Sequence, residues 1–574
     1  MKKRILSILT SCALFLSVSG TYGSMVLADP TTAAPMYESD EAGHGNITIY
    51  TYSSAGDLHG FVKVFLEKNP DLDEKYKVVT YRPTPGGLDY YTMTWMMLGG
   101  DTPADIYLPE FDYLYDFVEG EFASLSAPYS DFIDDLDAKI ENAELSDVAK
   151  TIGKDSSGTI KALPYENTSG LFYYRRSIAR EVFGSDDPMT VMEQIGGATG
   201  DWNKYLEACE ILKSHNYAMA SSLDDVWNVC NYGASAPWVK DGSLTLDPSR
   251  AVFLDLSKIM EDGGYTNGTG SWTKEWENDM AGTGTDQKTG KQRQVFSFMG
   301  PLWFLHYTMQ YNCESGSPAY NDWGVCPAPV SFVWGGTGVV ARKDSVENKD
   351  KKEFISRFVE WLTLDATPDG FQYSFASGAY TDGICNGVTS TKVMNMLNVS
   401  DPFLGNVNPL AFLIKETICP VTGGYGEYAY SGLRDEFRSD ALSYAFGDMD
   451  RDAAVKQFQE NAAALGEIDV NSNFVVPDNQ LTVPAPIDPV PSTTPTPTPA
   501  PTPTPIEDQD PTPTPAKGNK TKKKKKTGRK IPPKSDDGVP TIVYVLAGVG
   551  SAVVIAGTVT TIVLVHKHKK KKSM

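Results

Sequence analysis

The N-terminal part of the chain switches repeatedly between strand-like and helix-like hydrophobic patterns. Apolar and polar residues alternate over Asn46–Tyr52, Lys77–Tyr81 is a second strand-like segment, and Asp105–Leu108 is a short apolar run, so the pattern predicts three strands. Apolar residues at helical spacing predict helices over Asp57–Lys68 and Tyr90–Leu98. This strand–helix order predicts a parallel sheet, which gathers ligands beyond the carboxyl ends of its strands.

Two continuous apolar stretches lie near the ends of the chain. Ile5–Val18 follows three basic residues and precedes a small-residue cleavage site, which predicts an export signal peptide over residues 1–28. Residues 541–565 are uncharged and long enough to cross a bilayer as a helix. We therefore expect a single transmembrane helix at 541–565, a cytoplasmic tail at 566–574, and a body on the extracellular face of the cell membrane.

The segment before the expected span is rich first in proline and then in lysine. Pro484–Pro515 carries 13 prolines, mostly alternating with threonine, which predicts a disordered, extended Pro-rich stalk over residues 482–516. Residues 517–538 form a polybasic juxtamembrane segment. Two interpretations of that segment remain open: it binds anionic cell-wall polymer or lipid headgroups, or it is a solvated spacer.

The body is strongly acidic. The chain has 51 Lys and Arg against 73 Asp and Glu, and the region from Lys517 holds 15 basic and 2 acidic residues. Once that region and the three basic residues of the signal are set aside, residues 29–516 carry 33 basic and 71 acidic residues, a net charge of −38. Such a surface excludes nucleic acid as a partner, but it is compatible with steering of a cationic solute.

Cysteine and histidine usage predicts no metal site and no cofactor. The chain has no CxxC pair, and the body has only four histidines, so a structural zinc site is not expected. An even number of body cysteines permits disulfides in an exported chain, with Cys313 and Cys326 closest in sequence. Scattered buried thiols are an equally good interpretation. The six body cysteines are Cys209, Cys230, Cys313, Cys326, Cys385 and Cys419.

Several motifs follow one another in a specific order along residues 45–470. Lys161-Ala-Leu-Pro-Tyr165 leads into Gly170-Leu-Phe-Tyr-Tyr174, and Phe298-Met-Gly-Pro-Leu-Trp303 comes later. Trp323-Gly-Val-Cys-Pro-Ala-Pro329 and Gly335-Gly-Thr-Gly-Val-Val-Ala341 follow, and then come helical patterns over Lys351–Leu364 and Phe437–Leu465. In this order the motifs resemble the interdomain crossovers, the Gly-Pro-Trp segment and the C-terminal helices of extracellular solute-binding proteins of bacterial ABC importers, in the carbohydrate-binding group that includes maltose-binding protein.

The resemblance implies an α/β, periplasmic-binding-protein-like two-lobe clamshell with hinge crossovers. It divides the body into a first part of lobe 1 (45–165), lobe 2 (166–328), and a return to lobe 1 with the C-terminal helices (329–476). It also implies a noncatalytic function, in which a small solute, a sugar or oligosaccharide, is captured in the interlobe cleft and delivered to ABC permease subunits.

Sugar sites need aromatic platforms, and the body is well supplied with them. All ten tryptophans lie between Trp95 and Trp361. Correspondence with the Gly-Pro-Trp segment selects Trp303, although the inserted Leu302 departs from the family pattern. Trp334 precedes two glycines at the second crossover, and Trp227 lies in an acidic segment. A core position is the alternative for each of the three.

Polar candidates flank the first crossover and the third predicted strand. Tyr165, Glu166 and Asn167 offer hydrogen-bonding groups at the crossover, with a purely structural turn as the alternative. Glu110 and Asp112 follow the strand and are placed to reach ligand hydroxyls, with simple solvation as the alternative.

Two further candidates open the first predicted helix. At Ser53 and Asp57, free amide groups and capping side chains coincide with the expected ligand edge of the sheet. Helix capping alone is the alternative explanation for both residues.

Two other functional classes remain open from the residues alone. A glycosidase needs two carboxylates across the scissile bond, and Glu166 with Glu110 or Asp112 would be the pair to test. A cell-surface sensor or adhesin would use the same clamshell on the same membrane anchor. Neither a Gly-x-Ser-x-Gly elbow nor a His-Glu-x-x-His helix occurs in the sequence.

Overall fold

A computed structural model describes residues 37–38, 45–51, 57–81, 103–381, 383–415, 430–466, 468–471, 474–476 and 480–490. The predicted signal peptide, the predicted helix over Tyr90–Leu98, the stalk beyond residue 490, the polybasic segment, the transmembrane helix and the cytoplasmic tail lie outside these ranges. Among the described helices, none combines the length and the apolar character that crossing a membrane requires.

Two sheets organise the body. The first has the strand order β1-β3-β2-β4-β11-β5, in which β2 pairs in parallel with β3 and with β4, as the sequence pattern predicts. The second has the order β10-β6-β9, with both pairings antiparallel. A short hairpin joins β7 to β8. The strands are β1 Tyr37–Glu38, β2 Gly45–Thr51, β3 Tyr76–Tyr81, β4 Ile106–Leu108, β5 Ala162–Pro164, β6 Leu171–Arg175, β7 Val239–Lys240, β8 Ser243–Leu244, β9 Ser297–Gly300, β10 Trp323–Pro327 and β11 Gly338–Ala341.

Helices flank both sheets. They are α1 Asp57–Lys68, α2 Pro70–Lys75, α3 Phe111–Val118, α4 Leu136–Ala143, α5 Asp147–Thr151, α6 Arg176–Phe183, α7 Pro188–Gln194, α8 Trp202–Ser214, α9 Leu223–Tyr232, α10 Pro248–Gly263, α11 Lys274–Ala281, α12 Leu302–Phe304, α13 Gln310–Asn312, α14 Lys343–Glu347, α15 Lys349–Thr363, α16 Phe371–Ala376, α17 Thr391–Met396, α18 Leu410–Lys415, α19 Gly432–Ala445 and α20 Arg451–Ala464. A π-helical turn, Leu305–Met309, joins α12 to α13.

The first sheet is buried on both faces, and it forms lobe 1. Successive strand residues point to opposite faces, so Ile47 and Ile49 of β2 enter one core while Tyr50 enters the other. On the first face, Phe65 of α1 packs edge-on against Phe358 of α15. Helices on both faces explain why the strands are apolar almost throughout.

The second sheet forms the centre of lobe 2. Phe172 and Tyr174 of β6 face a core built with α8, α9 and α10, while Leu171 and Tyr173 of the same strand face the opposite side. Phe437 of α19 belongs to the lobe 2 core. The range 329–476 therefore contains β11 and α15 of lobe 1 together with C-terminal helices that pack on lobe 2.

The first residues of the predicted stalk are docked on lobe 2. The amide of Thr482 donates to Asn203 Oδ1 at 2.7 Å, that of Ile487 to Glu210 Oε1 at 3.1 Å, and that of Val490 to Ser214 O at 2.8 Å. All three acceptors belong to α8. The prediction of disorder from residue 482 is thus wrong as far as residue 490, because backbone amides between the prolines find acceptors along one helix.

The cysteines of the described part of the chain are free thiols. Cys209, Cys230, Cys313 and Cys326 are buried and Cys385 is half-buried, so the Cys313–Cys326 disulfide does not form. Burial raises the pKa of the Cys209 and Cys230 thiols, which keeps them protonated and unreactive. Cys419 lies outside the described ranges.

Burial raises the pKa of three acidic side chains in lobe 2 to about 7. Asp225 accepts from Trp276 Nε1 at 2.9 Å and from the Ser222 amide at 3.0 Å. Asp279 accepts from Ser221 Oγ at 2.6 Å and from Asn267 Nδ2 at 2.8 Å. The third is Asp440. These hydrogen bonds partly offset the cost of burying a charge.

We expect the free energy of unfolding to fall as pH rises from about 4 to about 7. A folded-state pKa raised above the unfolded value means that the folded protein binds more protons. The contribution of each buried carboxyl to the free energy of unfolding is therefore complete below its unfolded pKa of about 3.9. It is lost as the pH rises through the folded-state pKa of about 7. Each carboxyl contributes a slope of about 1.4 kcal/mol per pH unit at most.

Asp279→Asn should flatten this pH dependence. The amide oxygen can still accept from Asn267, and the amide nitrogen can donate to Ser221 Oγ, so the variant copies the protonated acid. Asp241→Asn is the matched control, because Asp241 is exposed. Denaturant unfolding of the full chain between pH 5 and 8 is the measurement, and equal slopes for wild type and Asp279→Asn would contradict the assignment.

Candidate functional site

The two crossover segments between the lobes are hydrogen-bonded to each other. The Gly170 amide donates to Phe332 O at 2.8 Å, and the Trp334 amide donates to Thr168 O at 3.1 Å. Thr168 Oγ1 also donates to Gly335 O at 2.8 Å. A Cβ on Gly170 would lie 1.9 Å from the Phe332 ring, so a glycine is required where the segments cross. This pairing fixes the position of Trp334.

Three tryptophans meet beside the paired crossovers. Of the nine tryptophans in the described ranges, six are buried, whereas Trp303 and Trp334 are half-buried and Trp272 is 56% exposed. The ring centroids of Trp303 and Trp334 are 5.1 Å apart, and those of Trp272 and Trp334 are 6.3 Å apart. The tryptophans that keep solvent-accessible surface therefore form one cluster, which we call the aromatic corner.

Local contacts hold the rings of the aromatic corner. Trp303 Nε1 donates to Trp334 O at 3.1 Å, so the indole nitrogen at the start of α12 is tied to the second crossover. Tyr232, at the end of α9, stacks on Trp334 with centroids 5.9 Å apart and an interplanar angle of 21°. Trp272 has φ +65°, an uncommon backbone conformation for a bulky residue.

A carboxylate lies next to the aromatic corner. Gly335 has φ +68°, and a Cβ at this position would lie 3.4 Å from Glu110 Oε1 and 3.6 Å from Trp303 Nε1. Glu110 immediately precedes α3, and its backbone bridges to Thr337 of the second crossover. Glu110 from lobe 1 and Trp303 from lobe 2 thus approach the same glycine, and they combine a hydrogen-bond acceptor with an aromatic surface.

An ion pair joins the two lobes at the same place. Asp112 of α3 accepts from Arg434 Nη1 of α19 at 2.9 Å, and both side chains are partly exposed. Arg434 Nη1 also lies 3.4 Å from the Tyr232 hydroxyl. Burial, helped by the nearby Asp112 and Glu110 carboxylates, raises the pKa of Tyr232, while Arg434 opposes the rise. The hydroxyl therefore remains a hydrogen-bond donor.

The candidates at the first crossover make their described contacts within the fold rather than at the aromatic corner. Tyr165 is buried in lobe 1, edge-on to Phe61 and Phe371. Asn167 Oδ1 accepts from the Ser169 amide at 2.9 Å, a side-chain turn within the crossover. Glu166 is half-buried, bridges to Val388 through its backbone, and lines a small pocket together with Asn167.

The remaining candidates are not brought to the aromatic corner. Trp227 is 3% exposed in the lobe 2 core, against Phe253 and Phe437, as in its alternative interpretation. Ser53 lies outside the described residues. Asp57 opens α1 as predicted, and nothing is described of its side chain.

Sequence reasoning missed three residues of the site. Trp272 and Tyr232 belong to segments that matched no motif, and Arg434 lies just before the predicted C-terminal helix. Trp272 was counted among the ten tryptophans of the body, but no local sequence signal separated it from the six buried tryptophans. Across the described residues, no group of three or more His, Cys, Asp or Glu side chains is arranged to hold a metal ion.

Comparison with known proteins finds structural neighbours but no sequence relatives: no family model and no curated protein matches this chain. A solved structure of an extracellular solute-binding protein of family 1 aligns with a TM-score of 0.58 and 15% identity, covering 74% of this chain and 100% of the other. A lacto-N-biose-bound binding protein of Bifidobacterium longum aligns with a TM-score of 0.49 and 14% identity, covering 75% of this chain and 100% of the other. A maltose-bound protein of T. maritima aligns with a TM-score of 0.48 and 15% identity, covering 74% of this chain and 100% of the other.

The first of these alignments covers the whole of its partner and about three quarters of this chain. At 15% identity it establishes a shared fold. The resemblance inferred from the ordered motifs is thereby confirmed at the level of structure. The body of this chain has the two-lobe α/β fold of family 1 extracellular solute-binding proteins.

Proposed function

We propose that this chain is an extracellular solute-binding protein that captures a carbohydrate between its lobes and passes it to an ABC importer. The observation that carries the proposal is the aromatic corner, where Trp272, Trp303 and Trp334 keep accessible surface beside the hinge. The C–H face of a sugar ring stacks on indole, and Glu110 supplies an acceptor for its hydroxyls. A small number of well-placed polar groups among aromatic rings is typical of a small-molecule binding site.

The Asp112 ion pair favours binding over hydrolysis. A glycosidase needs two carboxylates that act as acid and as base or nucleophile across the scissile bond. Asp112 is already engaged by Arg434 at 2.9 Å. A carboxylate neutralised by a guanidinium across the lobe junction is better suited to stabilising contact between the lobes than to proton transfer.

The expected export signal and span support a membrane-tethered receptor. The same anchor would serve a sensor or an adhesin that uses this clamshell. Genes encoding two permease subunits beside this gene would favour transport, whereas a histidine-kinase gene would favour sensing.

Ligand screening of the purified full-length chain tests the proposal. Tryptophan fluorescence and thermal unfolding are followed against monosaccharides, oligosaccharides, amino acids, peptides and polyamines. We expect saturable fluorescence change and a raised melting temperature with one sugar class, because a ligand that binds only the folded state stabilises it. If only a polyamine or a peptide binds, that solute takes the place of carbohydrate as the proposed ligand. Time-dependent release of sugar products would identify an enzyme.

Trp334→Ala and Trp303→Ala should each weaken binding of the sugar found in the screen by about 1 to 3 kcal/mol. The reason is the loss of stacking surface at the aromatic corner. Trp227→Phe is the control, since this tryptophan lies in the lobe 2 core and its replacement should change stability while sparing affinity. Calorimetric affinities within error of wild type for both alanine variants would remove the aromatic corner from the site.

Arg434→Gln should favour the open form of the protein and weaken solute binding about fivefold, since a partly exposed ion pair contributes about 1 kcal/mol. Arg438→Gln is a matched control on the same helix, because Arg438 pairs with Asp224 inside lobe 2 at 2.6 Å. Small-angle scattering with and without sugar, together with calorimetry, measures both effects. Equal losses in the two variants would show that the Asp112–Arg434 pair has no special role in closure.

A further inference from the structure

Two strongly exposed tyrosines continue from the aromatic corner along lobe 2. Tyr307 is 47% exposed and Tyr311 is 75% exposed, and both lie in the segment that begins with Trp303. Of the residues between these positions, Phe304, Leu305, His306, Thr308 and Met309 are buried, and Gln310 is half-buried. Side-chain exposure therefore recurs at every fourth residue, at Trp303, Tyr307 and Tyr311, and it increases with distance from the crossovers.

The π-helical turn explains why these three aromatic residues share one face. In an α-helix, four residues advance about 400°, so positions 303, 307 and 311 would drift by about 40° at each step. The turn Leu305–Met309, in which the Gln310 amide donates to Leu305 O, places more residues in each turn and so reduces that drift. Without it, Tyr311 would turn away from the line of Trp303. We call Trp303, Tyr307 and Tyr311 the aromatic stripe.

The chemistry of the aromatic stripe fits a neutral, chain-like ligand with repeated ring faces. Four helical residues rise about 6 Å, a distance similar to the length that each hexose adds to an extended glycan. Tyrosine offers both a ring to stack on and a hydroxyl to hydrogen-bond. The net charge of −38 for residues 29–516 disfavours a polyanionic chain.

We propose that the solute is an oligosaccharide, and that Tyr307 and Tyr311 bind its successive units beyond the unit held at Trp303. This inference rests on the proposed carbohydrate receptor function and specifies its ligand. The end unit is held between Trp303, Trp334 and Glu110, and the chain leaves the junction along α12, the π turn and α13. The number of units bound is thus set by the length of the aromatic stripe.

Calorimetry of the full-length chain with oligosaccharide ladders tests the inference. The ladders run from monosaccharide to hexasaccharide and derive from α-glucan, β-glucan, xylan, mannan and galactan. For the ladder that binds, affinity should rise about fivefold with each added unit up to about the trisaccharide, because each added unit stacks on a further ring. Tyr311→Ala should weaken binding of the longer members about fivefold and leave the disaccharide unchanged, whereas Tyr311→Phe should retain most of the affinity.

The controls separate the failure of this inference from failure of the receptor function. Tyr320→Ala removes another exposed tyrosine, outside the segment Leu302–Asn312, and should leave every affinity unchanged. Monosaccharide binding with no gain from longer chains, or equal losses for short and long chains in Tyr311→Ala, would overturn the aromatic stripe while the receptor proposal stands. Absence of binding to every ladder would overturn both. Wild-type affinity for all chain lengths in a combined Tyr307→Ala and Tyr311→Ala variant would likewise overturn the aromatic stripe.

Discussion

The hydrogen bonds between the two crossover segments are the constraint on which the rest of the site depends. Thr168 and Gly170 on one segment bond to Trp334 and Phe332 on the other, and the Thr168 hydroxyl adds a bond to Gly335. In the proposed receptor, a single crossover strand would leave the lobes free to twist as well as to bend. Two bonded segments would restrict their relative motion to a hinge, in which a few residues absorb the rotation.

The two crossover segments also position residues of the candidate site. Trp334 lies on the second crossover itself, and its ring packs against the hydrophobic cores on both sides of the crossover. Trp303 is tied to it through a bond to the Trp334 carbonyl, and Tyr232 stacks on its other side. Aromatic rings carry large contact surface with few rotatable bonds, so they lose little entropy when a ligand binds. The aromatic corner is therefore preorganised, while the Asp112–Arg434 pair depends on how the lobes meet.

The segment Gln480–Val490 is docked on lobe 2. Its amides bond to Asn203, Glu210 and Ser214 of α8. The aromatic stripe lies on lobe 2 as well, so in the proposed receptor this lobe would hold both the outer units of the glycan and the first residues of the predicted stalk.

The sequence alone determined the parallel strands of lobe 1, the bounds of α1 to within a residue, the order of the two crossovers and the fold class, because periodicity and short motifs report local structure and burial. It also proposed Trp303, Trp334 and Glu110, which the structure brings close together, while their part in ligand binding stays a prediction. It did not distinguish Trp227 in the core from Trp272 at the surface, since both are tryptophans in segments without a motif. Nor did it show that Tyr165 is a core residue, that Arg434 reaches Asp112, or that the stalk begins by docking on α8. These features depend on contacts between residues tens to hundreds of positions apart, and only the tertiary structure decides which side chains such contacts cover and which they leave exposed to a ligand.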